Sequence, residues 1–480
     1  MTRRAGNASG MSLFGFKTKG TPGESHNARL GITGREMPPI TIMAPSSVRY
    51  YKLHFLDDGF PAQTRSDGSY YEHPLYPIYI AEEYFRQHAR HADPALVEAA
   101  KLVLDAALKR AQPFQDSLVF WYGSDAGVTR AAHKHYSALT QAYYVGVLAT
   151  LHDLIGRRSG YNKLARKFAS SLAIPVGEGG VMQQRPQGKG IEELPLAMPE
   201  LVLNGWLSAL TRVAAWPKVL QRAGMGDFLN QNLDLLEYLL PRYDMPALQN
   251  SRYSLSGYVY LRLTASGGAH ITLRDACTSW SATEKYALGT GSTYRWSNFL
   301  LEDDIKANVD GSFTGKSKSL RANLVLSQLA GENAFEFVAT ANKKTDVRVE
   351  MMVGEYSPLA TIPQATKWVT LETVPMGAEP RDYHIGIGAP YTDLMGYPTN
   401  FQKSFDGQNR NVYHLIHIKA LHQLSKFQDR PIFSDMAKRW AGYVAHWKDN
   451  PHYARFGAHD YSDKVPRALR RTIKDAGDER

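Results

Sequence analysis

From Tyr76 to about Leu240 the apolar positions recur with a helical period. Pro77 opens the first run, Pro77–Phe85, as proline does near a helix N-terminus. Pro94–Ala111 follows, with Leu96, Val97, Ala100, Leu102, Val103, Ala106 and Ala107 on its apolar stripe. Ser137–Leu154, Tyr161–Leu172, Val202–Val213 and Met225–Leu240 continue the series, separated by turn signals such as Gly123–Gly127 and Gly177–Gly180. Successive helices without strands predict an all-α array, a bundle or an α/α toroid. At Tyr253 the period drops to two. Tyr258–Leu263, His270–Leu273, Ala322–Leu326, Phe335–Thr340, Asp346–Glu350, Trp368–Leu371 and Tyr383–Ile387 read as strands of an antiparallel, sandwich-like unit. Helix returns from Val412 to Trp447, with Leu415, Ile418, Leu421, Leu424, Met436, Trp440 and Val444 on its apolar faces. The expected fold is mainly α with a β insert: an α/α toroid over 46–253 and 412–450, interrupted by a β-rich domain over 254–411. A flexible basic arm over 1–45 and a peripheral tail over 451–480 complete the expected organisation.

Composition changes this picture little. With 480 residues, 43% of them hydrophobic and 21% charged, the chain is globular and long enough to bury a large core. Charge adds more. The 56 Lys and Arg against 46 Asp and Glu leave a formal +10, which suits nucleic acid, anionic lipid or an acidic polysaccharide. The 27 Tyr, 18 Phe and 8 Trp supply platforms on which sugars or unpaired bases stack.

Several chemistries fail on their motifs. The chain has no GxxxxGK[ST], no HExxH, no GxSxG and no complete GxGxxG in a strand–helix setting. The single Cys277 has no internal partner for a disulfide and belongs to no zinc or iron–sulfur cluster. His88/His91 and His414/His417 each stand at i, i+3 on a helical face, a spacing that can ligate metal. Neither pair has a carboxylate at matching spacing, so hydrogen-bonded or surface histidine is the default reading. Nucleic acid is excluded as a partner because the charge comes without a helix-turn-helix or RNP signature. No run of about 18 apolar residues spans a membrane.

Three segments stand out together. Ile191-Glu192-Glu193-Leu194-Pro195 runs on to Val202-Leu203-Asn204-Gly205. Leu239-Leu240-Pro241-Arg242-Tyr243-Asp244 comes shortly before Tyr253. Tyr413-His414-Leu415-Ile416-His417-Ile418 follows the strand-rich stretch. Upstream, Tyr76–Ala81 and Tyr136–Ala142 add two more pieces in the same order. The set resembles the C-terminal catalytic domain of the D-glucuronyl C5-epimerases, over roughly residues 70–253 and 412–450. Leu194 stands where that family has a Tyr, and Tyr253-Ser254-Leu255-Ser256 stands for its Tyr-Asp-Leu-Arg.

The resemblance implies C5 epimerisation of D-glucuronate, or a related uronate, in an anionic polysaccharide of the heparosan type. Inversion at C5 removes a proton α to a carboxylate and returns one from the opposite face, so two acid/base groups must flank the ring. The charge that develops on the carboxylate needs donors. Carried onto this chain, the catalytic groups are Tyr253 and Tyr413, with Glu193 as their partner or as replacement for the missing Tyr. Substrate-binding roles fall to Glu192, Asn204, His414, His417, Arg185, Arg252 and Tyr136. Arg242 is a further candidate for the carboxylate clamp, and Trp121, Tyr122, Tyr143, Tyr144 and Trp206 for the walls of a sugar groove. Solvent supplies the returning proton, so no cofactor or metal is implied. The alternatives are a polysaccharide lyase, which begins with the same abstraction and expels the C4 oxygen, and a non-catalytic glycan-binding protein. The expected location is the cytoplasm or the inner face of the membrane, and a homodimer is a family expectation.

Overall fold

The computed structural model describes residues 31–32, 35–37, 53–123, 134–156, 160–196, 198–280, 285–290, 298–300, 304–317, 319–330, 332–354, 366–388, 397–403, 409–454, 461 and 464–470. Most of the expected arm over 1–45, most of the tail over 451–480, and the turn signal after Gly123 lie outside the described residues.

The first two helices, α1 (Tyr76–His91) and α2 (Pro94–Leu108), each have a proline in the first turn, and the Asp93 carboxylate caps α2 by accepting from Ala95 N at 2.9 Å. Next comes α3 (Ala138–Ile155), which carries no polar face and is buried along most of its length. It packs against α4 (Tyr161–Ser171) and α5 (Leu203–Ala214). Phe120 stacks on Tyr144 at 4.2 Å and on Phe168 at 5.4 Å between centroids, filling the space between α3 and α4. After α6 (Pro217–Arg222) and α7 (Phe228–Leu239) the chain enters its strands, and helix resumes with α8 (Val412–Phe427) and α9 (Pro431–His446). Residues from both helical stretches, such as Leu210, Leu233, Leu421 and Trp440, share one apolar core.

The strand-rich stretch builds an eleven-stranded sheet with its own core. Ser256–Ala265 lies antiparallel between Ser319–Ser327 and Thr345–Gly354, and Asn333–Ala341 lies between Ile271–Ser279 and Arg381–Ile387. Alternation sets the faces. Val259, Leu261 and Leu263 point into the core, while Arg262 on the other face pairs with Glu350 at 2.9 Å. Within this sheet, among the described residues, pairing is parallel only where Lys285–Thr290 meets Asn298–Leu300.

An α/α toroid does not form. The hairpins Gln112–Phe114/Ser117–Val119 and Met182–Arg185/Gly188–Ile191 separate helices expected to follow one another directly. The fold is mixed α and β, with a sheet-rich C-terminal part and several antiparallel sheets. Strands of three or four residues are too short to raise a period-two signal, so the helical reading passed over them. Among the described residues no helix is long and apolar enough to cross a membrane, and no group of three or more His, Cys, Asp or Glu side chains is arranged to hold a metal ion.

Candidate functional site

The loop Glu192–Val202 is pinned by buried hydrogen bonds. Both oxygens of the Glu192 carboxyl accept from backbone, Oε1 from Glu200 N at 3.1 Å and Oε2 from Leu201 N at 2.9 Å. Leu201 has a φ of 44°, a left-handed conformation unfavourable to a leucine, and Tyr243 Oη donates to its carbonyl at 2.6 Å. Ser327 Oγ at the end of the sheet donates to Pro199 O at 2.7 Å. Glu192 is fully buried, and its carboxyl holds the loop.

Glu193 turns to the first turn of α5. Its carboxyl lies against Gly205, where an added Cβ would stand 2.3 Å from Oε2, so only glycine admits the carboxyl there. Asn204 Nδ2 approaches the same oxygen at 3.5 Å, a long contact, and Asn204 Oδ1 is buried without a hydrogen-bond partner. Burial, reinforced by the Glu200 charge, pushes the Glu193 carboxyl up to about 7, and the same two causes push Glu192 to about 8. A raised carboxyl holds its proton in the fold at a pH where the unfolded chain, with a Glu pKa near 4.3, has released it. The stability contribution therefore falls as pH rises from about 4.5 through about 8. Urea midpoints should be higher at pH 5.5 than at pH 8.5, and the difference should shrink in Glu192→Gln. A midpoint that rises across that interval, with no smaller rise in the variant, would sink this assignment.

Tyr253 and Tyr413 come together from distant parts of the chain. Tyr253 lies on the strand Asn250–Ser254, whose five residues are all buried, and Tyr413 lies in the first turn of α8. Their rings meet edge to face at 70°, with centroids 5.0 Å apart. Met198, Val202, Trp280 and Val325 are buried around the pair, and Tyr286 and Ala330 pack against it. The site thus sits at the seam between the helical core and the sheet. Val202 caps α5 and Asn204 follows two residues later, so the Tyr pair and Glu193 flank the same helix end.

A polar network locks strand to helix. Asn411 caps α8 by accepting from His414 N at 3.3 Å, and its Nδ2 donates to Asn250 Oδ1 and Thr399 Oγ1, each at 3.0 Å. His414 Nε2 must donate to the Trp440 carbonyl at 3.0 Å, so its Nδ1 accepts from Ser251 Oγ at 2.8 Å. Ser251 Oγ then accepts from His417 Nδ1 at 2.9 Å, which leaves His417 Nε2 a buried acceptor. Burial lowers His414 to about 4 and His417 well below its ordinary value, so both rings are neutral. Neither reaches solvent. Through Ser251 they fasten the Tyr253 strand to the Tyr413 helix, and as neutral rings they bring no charge to lower a tyrosine.

The other expected residues divide. Arg252 points away from Tyr253, as strand alternation requires, and its Nη1 donates to Arg242 O at 2.6 Å and Asp244 O at 2.7 Å. Tyr136 is fully buried and donates to Ser171 O at 2.7 Å, so it is core. Arg185 is half-buried and donates to Leu329 O at 2.7 Å, one residue from Ala330, which packs against the buried cluster that includes Tyr253. Trp206 and Tyr144 are core, Tyr143 lies under Arg212 at 4.3 Å, and Trp121 and Tyr122 are half-buried. Trp280, Tyr286 and Ser251 were missed. Ser251 and Tyr286 lie in strands and Trp280 directly after one, and they carry no local signal, because their role comes from partners far along the chain.

Residues 117–278 match the family described as D-glucuronyl C5-epimerase C-terminus. The match takes in Glu192, Glu193 and Tyr253, ends inside the sheet, and leaves Tyr413 outside. It supports C5-epimerase function, an isomerase activity, in general terms. No curated protein matches the chain.

Proposed function

We propose, from a chain whose residues 117–278 belong to the D-glucuronyl C5-epimerase C-terminal family, that it epimerises uronate residues at C5 within an anionic polysaccharide. The edge-to-face pair of Tyr253 and Tyr413 carries this reading. Two phenols on separate elements can address the two faces of one ring, which proton abstraction and return require. Glu193, pushed up to about 7 by burial, stands next to Leu194, the position at which the family has its further Tyr. Arg185 is the cation set to neutralise the carboxylate as C5 gives up its proton. The net charge of +10 favours a polyanionic chain.

The test is incubation with heparosan in deuterated water, followed by NMR. Deuterium at C5 together with new iduronate signals is the expected result. An unsaturated uronate product would replace the reading with elimination across C4–C5. Absence of both, on heparosan and on other uronate polymers, would overturn it.

A further inference from the structure

Tyr253 is closed off, at 3% exposure. Proton transfer at C5 needs its hydroxyl within hydrogen-bond reach of the sugar, so a neighbour in the buried cluster has to move. Three of those neighbours are held on both sides. Met198 lies in the pinned loop, between Glu192, whose carboxyl takes two backbone amides, and Pro199, whose carbonyl takes the Ser327 hydroxyl. Val202 is the N-cap residue of α5 and its carbonyl accepts from Trp206 N at 2.9 Å. Val325 lies inside the strand Ser319–Ser327, paired with Tyr258. Trp280 is placed differently. It follows Ser279, the last residue of its strand, and at 7% exposure it is the outermost of the cluster's buried members.

Its indole N–H sets it apart as well. Trp206, Trp440 and Trp447 are also buried, and each donates: to Asn232 Oδ1 at 3.1 Å, to Asp244 Oδ1 at 2.9 Å and to the Gln249 carbonyl at 2.8 Å. Trp280 Nε1 is buried with no acceptor. A buried donor left unpaired is destabilising, and water is the partner it regains on leaving. Trp280 is thus held by its ring, which packs on Tyr286 with centroids 4.7 Å apart, and not by its polar edge. The other three tryptophans lose a hydrogen bond when they leave the core, whereas Trp280 gains one. Within the cluster, opening costs least at this residue.

We infer that Trp280 is a movable cover on the Tyr253–Tyr413 site, closed in the free protein and displaced when a substrate enters. It stands in the strand-rich part, past the end of residues 117–278, so access is controlled by a segment that the family match does not include. The consequence for catalysis rests on the proposed role of Tyr253, while the opening itself is a property of the free protein.

Hydrogen exchange at the indole nitrogens tests it. The isotope-labelled protein is moved into deuterated water and followed by NMR, with the Trp280 signal identified by its loss in Trp280→Phe. The Trp280 N–H is expected to exchange about a hundredfold faster than those of Trp206, Trp440 and Trp447, which wait for the core to open. A heparosan hexasaccharide should speed exchange at Trp280 further, because the occupied site holds the cover open. Protection in the free protein equal to that of the other three, or protection that rises with the hexasaccharide, would overturn the cover. Trp280→Ala has no cover to displace and should lower KM about tenfold. A raised KM at an unchanged melting temperature would make Trp280 a sugar contact instead, and overturn the cover as well. The two readings fail separately. Fast exchange at Trp280 without C5 exchange on any uronate polymer keeps the cover and removes the epimerase. C5 exchange with the Trp280 N–H as protected as the others keeps the epimerase and removes the cover.

Discussion

Tyr253→Phe and Tyr413→Phe should each lower epimerisation by about 10²–10⁴-fold, the range for removing a positioned general acid or base. Packing accounts for little of that loss. The edge-to-face contact at 5.0 Å is made by the rings, and phenylalanine keeps the ring. A melting temperature close to wild type should therefore accompany the lost turnover, and a large drop in melting temperature would mean that the hydroxyls serve structure. The two variants should also differ from each other. If each tyrosine serves one face, removing one leaves the other able to abstract and return a proton on its own side. In deuterated water one variant should exchange C5 of glucuronate without inversion, and the other should exchange C5 of iduronate. Equal loss of exchange into both epimers in both variants would remove the two-face assignment and leave one composite base, with Glu193 the group to test next.

Local pattern decided some of this and failed on the rest for a physical reason in each case. The helices that begin at Tyr76, Pro94, Tyr161 and Val412 were legible because each buries a stripe at the helical period, the one at Ala138 because its apolar run is long, and several have a proline or a capping side chain at their start. The toroid was not, because ring closure depends on how helices pack, and short hairpins without a strong period redirect the chain between them. Within the site, the order of motifs singled out Tyr253 and Tyr413 although 159 intervening residues separate them. Alternation along the strand anticipated that Arg252 would face away from its neighbour. That His414 and His417 both face Ser251 inside the core was not legible, since their i, i+3 spacing is the same for rings facing a cleft and rings facing a strand. Gly205 makes room for the Glu193 carboxyl twelve positions earlier, a close approach no window of sequence displays.

The largest stability effect is expected at Glu192→Ala. That carboxyl satisfies two buried amides, Glu200 N and Leu201 N, and the second belongs to a residue already held at a φ of 44°. Each buried N–H left without an acceptor costs about 1–3 kcal/mol. Opposing this, alanine removes a buried ionisable group whose proton affinity burial and Glu200 have raised, which relieves a cost that grows with pH. Two orphaned amides outweigh one relieved carboxyl near pH 6, where Glu192 is still protonated at its value of about 8. The expected loss is about 2–5 kcal/mol by urea unfolding, above the roughly 0.5–1.5 kcal/mol of a single typical hydrogen bond. At pH 8.5 the same substitution should cost less, because there the wild type carries part of the charge that alanine avoids. Glu192→Gln keeps one carbonyl acceptor and turns the other position into a donor, so it should fall between wild type and alanine at pH 6. A loss under about 1 kcal/mol for alanine would mean that water reaches the two amides, and that the loop bearing Glu193 is held by Tyr243 and Ser327 alone.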